Sequence, residues 1–178
     1  MKLNVGDILL FRWNVPFNKL VGYFNKIVHG DEAYSHVAIV TEVRGGDVLL
    51  HEALAKNGKF IASYYSISAI EQWMKEGRCL RGKTTIPLVD VKHYADAYLG
   101  KPYGYKTLWY IILFKIFGWK LLAESEGVNS LICSEAIARI LYDASDKQID
   151  FVKEFGIPYQ FIEPYLLLIS KQIRWKNG

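Results

Sequence analysis

Cysteine is scarce in this chain. Only two occur among 178 residues, Cys79 and Cys133, far apart and outside any CxxC pattern, which excludes a disulfide framework and gives neither thiol the look of a metal ligand. Charge is thin as well: 22% of residues are Asp, Glu, Lys or Arg, and the net charge is +4. The densest basic patch, KEGRCLRGK at 75–83, interrupts itself with apolar residues, which argues against a nucleic-acid partner. Repeats, low-complexity tracts and Pro/Ser-rich linkers are missing, so nothing marks a domain boundary. With 51% hydrophobic residues, the chain has material for one sizeable core and is expected to form a single domain over 1–178.

Long uncharged hydrophobic runs are also absent. The most apolar segment, TLWYIILFKIFGWKLLA at 107–123, carries Lys115 and Lys120, and its uncharged stretch falls short of the roughly 20 residues a membrane span needs. It reads either as a helix or loop buried against the core, or as an exposed flap for peripheral contact with lipid, a partner or a second subunit. The start, MKLNVGDILLF, does not resemble a signal peptide, and the cytoplasm is the expected compartment.

What is present first is a set of β-rich, turn-bounded runs: GDILLF at 6–11, SHVAIVTEV at 35–43, GGDVLLHEAL at 45–54 and RCLRGK at 78–83. These predict a small antiparallel sheet. RGGD at 44–47 predicts a hairpin turn that sets the second and third strands side by side. YYSISAIEQWMKE at 64–76 reads as a helix, as does DVKHYADAYLG at 90–100, which Gly100 ends. Helices dominate the chain from there through 141, and the fold class expected is α+β. The C-terminal stretch 156–175 reads as a crossing over the sheet and then a last strand or short helix that closes the core; Ile157 and Tyr159 stand within reach of a cleft.

Within LICSEAIARIL at 131–141, apolar residues at 136, 137, 140 and 141 share one helical face, and Asn129 and Ser130 are candidate N-caps. Cys133 then falls in the first turn, where unpaired amides and the helix dipole favour a thiolate. Ser134 and Glu135 are polar residues that favour the helix start. Cys79, on a strand, reads as structural. A cysteine nucleophile needs a base, and the base needs a third polar group to orient it. His29 lies in a polar loop and His93 in a mixed helix, both read as surface positions. His36 is the polar side chain on the face of SHVAIV that it shares with Ala38 and Val40. Along the expected hairpin come His51 and Glu52, adjacent and therefore on opposite faces; alternation alone leaves open which of them addresses His36.

The motifs GDILLF, SHVAIV, HEA, GKPYGY at 100–105 and ICSEAI, in that order, resemble the circularly permuted papain-like amidases of the NlpC superfamily, above all the YiiX-like branch. In unpermuted papain-like enzymes the cysteine precedes the histidine; here His36 comes first. The resemblance implies a permuted papain-like fold with the nucleophile at a helix N-terminus, Cys133 as nucleophile, His36 as base and Glu52 as the third member. Relatives similar to lecithin retinol acyltransferase use histidine in the third place, which keeps His51 as the alternative. Tyr103 looks like the family's cleft tyrosine, bound to substrate, although the residue after it is Gly104 where the family has an acid. The activity implied is hydrolysis of a peptide-like or cell-wall-like amide, such as a peptidoglycan fragment, through an acyl-enzyme and without metal or organic cofactor. A lipid amidase or acyltransferase and a catalytically silent binding module are the competing expectations.

Overall fold

The computed structural model describes residues 2–12, 34–107, 111 and 130–176. At its centre is an open six-stranded sheet, antiparallel throughout, in the order β4-β3-β2-β1-β5-β6. The strands are β1 (Ile8–Phe11), β2 (His36–Arg44), β3 (Asp47–Leu54), β4 (Lys59–Ser66), β5 (Cys79–Thr84) and β6 (Ile173–Lys176). Among the described residues, helices with defined bounds are α1 (Ile67–Lys75), α2 (Val91–Asp96), α3 (Cys133–Ala144), α4 (Phe151–Phe155) and α5 (Pro164–Ile169). The class is α+β.

The sheet is covered on both faces, which explains why ILLF in β1 is apolar without alternation. Ile8 and Leu10 pack with Val37, Ile39 and the α3 residues Ile137, Ile140 and Leu141, whereas Leu9 and Phe11 pack with Ala38, Val40, Leu50 and the α1 residues Ile70 and Met74. Each such aliphatic side chain contributes about 1.5–3 kcal/mol by leaving water. α3 is buried almost all round, and alanines at 136, 138 and 144 let it lie close against β2 and β3.

The expected β2–β3 hairpin forms, with Arg44 opposite Asp47 and Gly45 in the left-handed region at φ 60°. Two expectations change. Tyr64, Tyr65 and Ser66 end a strand instead of opening a helix, because the 59–66 backbone pairs along the whole of β3. The helix begins at Ile67, capped by the Ser66 hydroxyl, which accepts from the Ala69 amide at 3.1 Å. At the C-terminus both expected alternatives occur in succession, α5 and then β6 against β5. A side chain at Gly82 would collide with Ile173 and Trp175, each 2.7 Å from its Cβ position, so this glycine is what lets β6 and its tryptophan close over β5.

Candidate active site

The start of α3 is set by the chain beside it. Leu131 donates its amide to the Pro102 carbonyl at 2.9 Å and accepts from Gly104 at 3.0 Å, which holds it extended. Ile132 is still extended, at φ −85° and ψ 161°, and the helix starts at Cys133. Ser130 is therefore not the cap, and Asn129 lies outside the described residues. Ile132 occupies the cap position with no side-chain cap hydrogen bond. The carboxyl of Glu135, at the third helical position, feels the Ile132 amide electrostatically. Cys133 thus sits at the positive, N-terminal end of α3, among its first-turn amides.

Gly104 sits in a confined place. A Cβ there would lie 3.3 Å from both the Ile132 nitrogen and the Leu131 carbonyl carbon, and 3.1 Å from the Thr107 hydroxyl. A side chain at this position would press on the backbone leading into Cys133, which would have to give by a few tenths of an ångström.

His36, the first residue of β2, is 3% exposed. Its Nε2–H donates to Glu52 Oε2 at 2.7 Å, and its second hydrogen bond is to Cys133, which leaves Nδ1 for the sulfur. Burial alone would lower the histidine pKa, but the hydrogen bonds and charges of Cys133 and Glu52 outweigh it and push the value up to about 10. Phe11, opposite His36 in the β1–β2 ladder, stacks on its ring at 5.8 Å and 29°.

The ambiguity between His51 and Glu52 is resolved by one residue. Counted from the Arg44–Asp47 pair, an unbroken ladder would set Val40 opposite His51 and put His51 on the His36 face. A β-bulge at Thr41 shifts the register, so that Val40 faces Leu50 and Ala38 faces Glu52. Glu52 arrives on the His36 face, 1% exposed, with both oxygens engaged: Oε2 by His36 and Oε1 by the Tyr65 hydroxyl at 2.7 Å.

His51 turns the other way. Burial lowers its pKa and favours the neutral ring; Nε2–H donates to Asp96 Oδ1 at 2.8 Å, and Nδ1 meets the Thr41 hydroxyl at 2.8 Å. It ties α2 to the sheet and has no bond to His36.

Tyr103 is brought close to the start of α3 through its bridge with Leu131. Burial, then the charge of Cys133 and the neighbouring Tyr105, raise its phenol pKa. It packs with Ile111, Ile132, Phe161 and Ile157, an apolar wall next to Cys133. Ile157 therefore borders this wall, while Tyr159 packs edge-on to Tyr142 and under the Arg139 guanidinium. Ser134 and Glu135 are buried: Ser134 donates to the Ile162 carbonyl at 2.6 Å, and Glu135 takes two bonds from Arg139. Cys79 is buried without an ionic partner, and burial pushes its thiol up to about 12. His93 is exposed; His29 lies outside the described residues. Of segment 107–123 only Thr107 and Ile111 are described, both buried. No described helix is long and apolar enough to cross a membrane, and no group of three potential metal ligands occurs among the described residues.

No protein-family model matches this chain, and no curated protein does. Cys133, His36 and Glu52, together with Tyr103, are what the geometry joins. Sequence reasoning missed Tyr65, which lay in a stretch read as helix, and the Thr41 bulge, whose only trace is one residue too many between the hairpin turn and His36.

Proposed function

We propose that this chain is a cysteine-dependent amide hydrolase with a permuted papain-like, NlpC-type fold of the YiiX-like kind, in which Cys133 is the nucleophile, His36 the base and Glu52 the residue that orients it. One observation carries the reading: His36 donates one ring N–H to a buried carboxylate at 2.7 Å and turns its other nitrogen to a cysteine at the first position of a helix. The Cys133 thiolate attacks the carbonyl carbon, and the first-turn backbone amide donates its N–H to the developing oxyanion, a contact worth about 3–4 kcal/mol in acyl-transfer sites. His36 gives its proton to the leaving amine as the tetrahedral adduct collapses. Water, deprotonated by the now neutral imidazole, hydrolyses the thioester and restores the ion pair. Tyr103 contacts the substrate. No step calls on a metal or organic cofactor.

The substrate class that follows from the resemblance is a peptide-like or cell-wall-like amide, a peptidoglycan fragment included, met in the cytoplasm; two free thiols suit a reducing compartment. The apolar wall of Ile111, Ile132 and Phe161 favours a second reading, a lipid amidase or acyltransferase, with 107–123 as its peripheral membrane contact. The first experiment is Cys133 alkylation by iodoacetamide from pH 5 to 9, read by peptide mass spectrometry with Cys79 as internal control. The proposal expects reaction to persist well below pH 8 and to fall in His36→Ala. An ordinary-thiol profile in both proteins would refute it and leave a binding module. With an activated thiol in hand, a screen of peptide amides against N-acyl lipids separates the two enzyme readings.

A further inference from the structure

Behind the candidate site, five side chains from five different elements close a circuit. His36 from β2 stacks on Phe11 of β1; Phe11 meets the edge of Trp73 from α1 at 5.9 Å and 80°; Trp73 meets Tyr65 of β4 at 6.0 Å and 68°. The Tyr65 hydroxyl donates to Glu52 of β3, which accepts from His36. Three aromatic rings thus enclose an ionic hydrogen bond and keep water from it, where it is stronger than in solution. Glu52 and Cys133 are titratable groups that face His36, Phe11 of β1 lies on its ring, and Trp73 of α1 lies against Phe11.

We propose that Tyr65 is a positioning residue for this group: its hydroxyl anchors Glu52 Oε1, so that Oε2 stays on His36 and the imidazole keeps its orientation toward Cys133. The inference rests on the hydrolase reading. A glutamate carboxyl hangs on three rotatable bonds, and one anchored oxygen leaves it free to swing; two anchored oxygens fix its plane. Tyr65 is suited to the task because it is locked itself, by Trp73 on its ring and by the β4–β3 ladder on its backbone. It also stays a donor across the working range, since burial, then the charge and hydrogen bond of Glu52, raise its pKa. Its neighbour Tyr64 is 58% exposed and supplies the matched control.

The test is the alkylation profile of Cys133 from pH 5 to 9 in wild type, Tyr65→Phe and Tyr64→Phe, with melting temperatures alongside. Tyr65→Phe keeps the ring against Trp73 and removes only the donor. The expected result is a reactive limb displaced toward higher pH, with alkylation about tenfold slower at pH 6, as for loss of one charge-assisted hydrogen bond, and an unmoved profile in Tyr64→Phe. An unmoved profile in Tyr65→Phe, or equal displacement in both variants, overturns the inference while the hydrolase reading stands. A wild type with an ordinary thiol overturns the hydrolase reading first. Should Tyr65→Phe melt early, ring-labelled tyrosine NMR on the wild type decides. A Tyr65 signal constant through pH 11 supports the anchor, and one that titrates near pH 10, as a free phenol does, overturns it.

Discussion

Replacing Glu52 by Gln separates charge from shape. The amide can still accept from His36 and still meet the Tyr65 hydroxyl, so both contacts keep their geometry while the negative charge disappears. An ionic hydrogen bond in a buried site exceeds its neutral counterpart by about 1–2 kcal/mol, and the lost attraction of the carboxylate for imidazolium adds to this. Together that is about 2–3 kcal/mol, or roughly two pKa units, taking His36 from about 10 to roughly 8. The assay is an NMR titration of the His36 ring, followed by Cys133 alkylation at pH 6. The sign is fixed by linkage: the folded-state pKa of His36 lies above the unfolded value of 6.5, so its contribution to stability is complete below pH 6.5 and is lost as pH rises through about 10. In Glu52→Gln that loss is smaller and ends about two units earlier. His51→Gln is the counter-experiment. It breaks the links to Asp96 and Thr41 and costs about 1–3 kcal/mol of stability, but leaves the His36 titration in place. If His51→Gln lowers the His36 pKa more than Glu52→Gln does, the register argument built on the Thr41 bulge is wrong.

Gly104→Ala should weaken the site without touching its chemistry: its Cβ meets the Leu131–Ile132 backbone at 3.3 Å. The expected cost is about 1–3 kcal/mol in chemical denaturation together with slower Cys133 alkylation; an unchanged protein would mean that this backbone yields freely. Cys79→Ala should lose about 1–2 kcal/mol from the core below Phe11 and leave every alkylation profile as it was, because a thiol pushed up to about 12 does not react at neutral pH; a changed Cys133 profile would assign Cys79 a role in the site.

The strands were legible because their apolar runs are bounded by turns, and β1 most clearly because burial on both faces left it no polar position. β4 was not, because its residues alternate between half-buried and exposed and run without a break into a helix; Tyr64 and Tyr65 suit either element until β3 pairs with them. The helix behind Cys133 followed from its apolar spacing, but its start did not. Local cap chemistry points to Asn129 or Ser130, while the strand-like pairing of Leu131 with Pro102 and Gly104, a contact between distant parts of the chain, delays the helix to Cys133. In both places a tertiary hydrogen bond overrides a local preference, and local preference is what a sequence displays.

The third member of the site turns on the same distinction. Alternation is a rule of period two, and it carries a residue's facing along a strand only while the ladder is regular. The hairpin turn supplies a starting pair, and counting from it without interruption selects His51. One bulged residue reverses the answer, and the bulge is held by what it creates: Thr41 bonds to His51 on one face as Glu52 is delivered to His36 on the other. The histidine that regular pairing would have placed in the site is thus used to stabilise the irregularity that excludes it. Both His36 and Cys133 stand at the first position of their elements. Glu52 stands mid-strand, so its placement needs a device in the backbone, and the Thr41 bulge is that device.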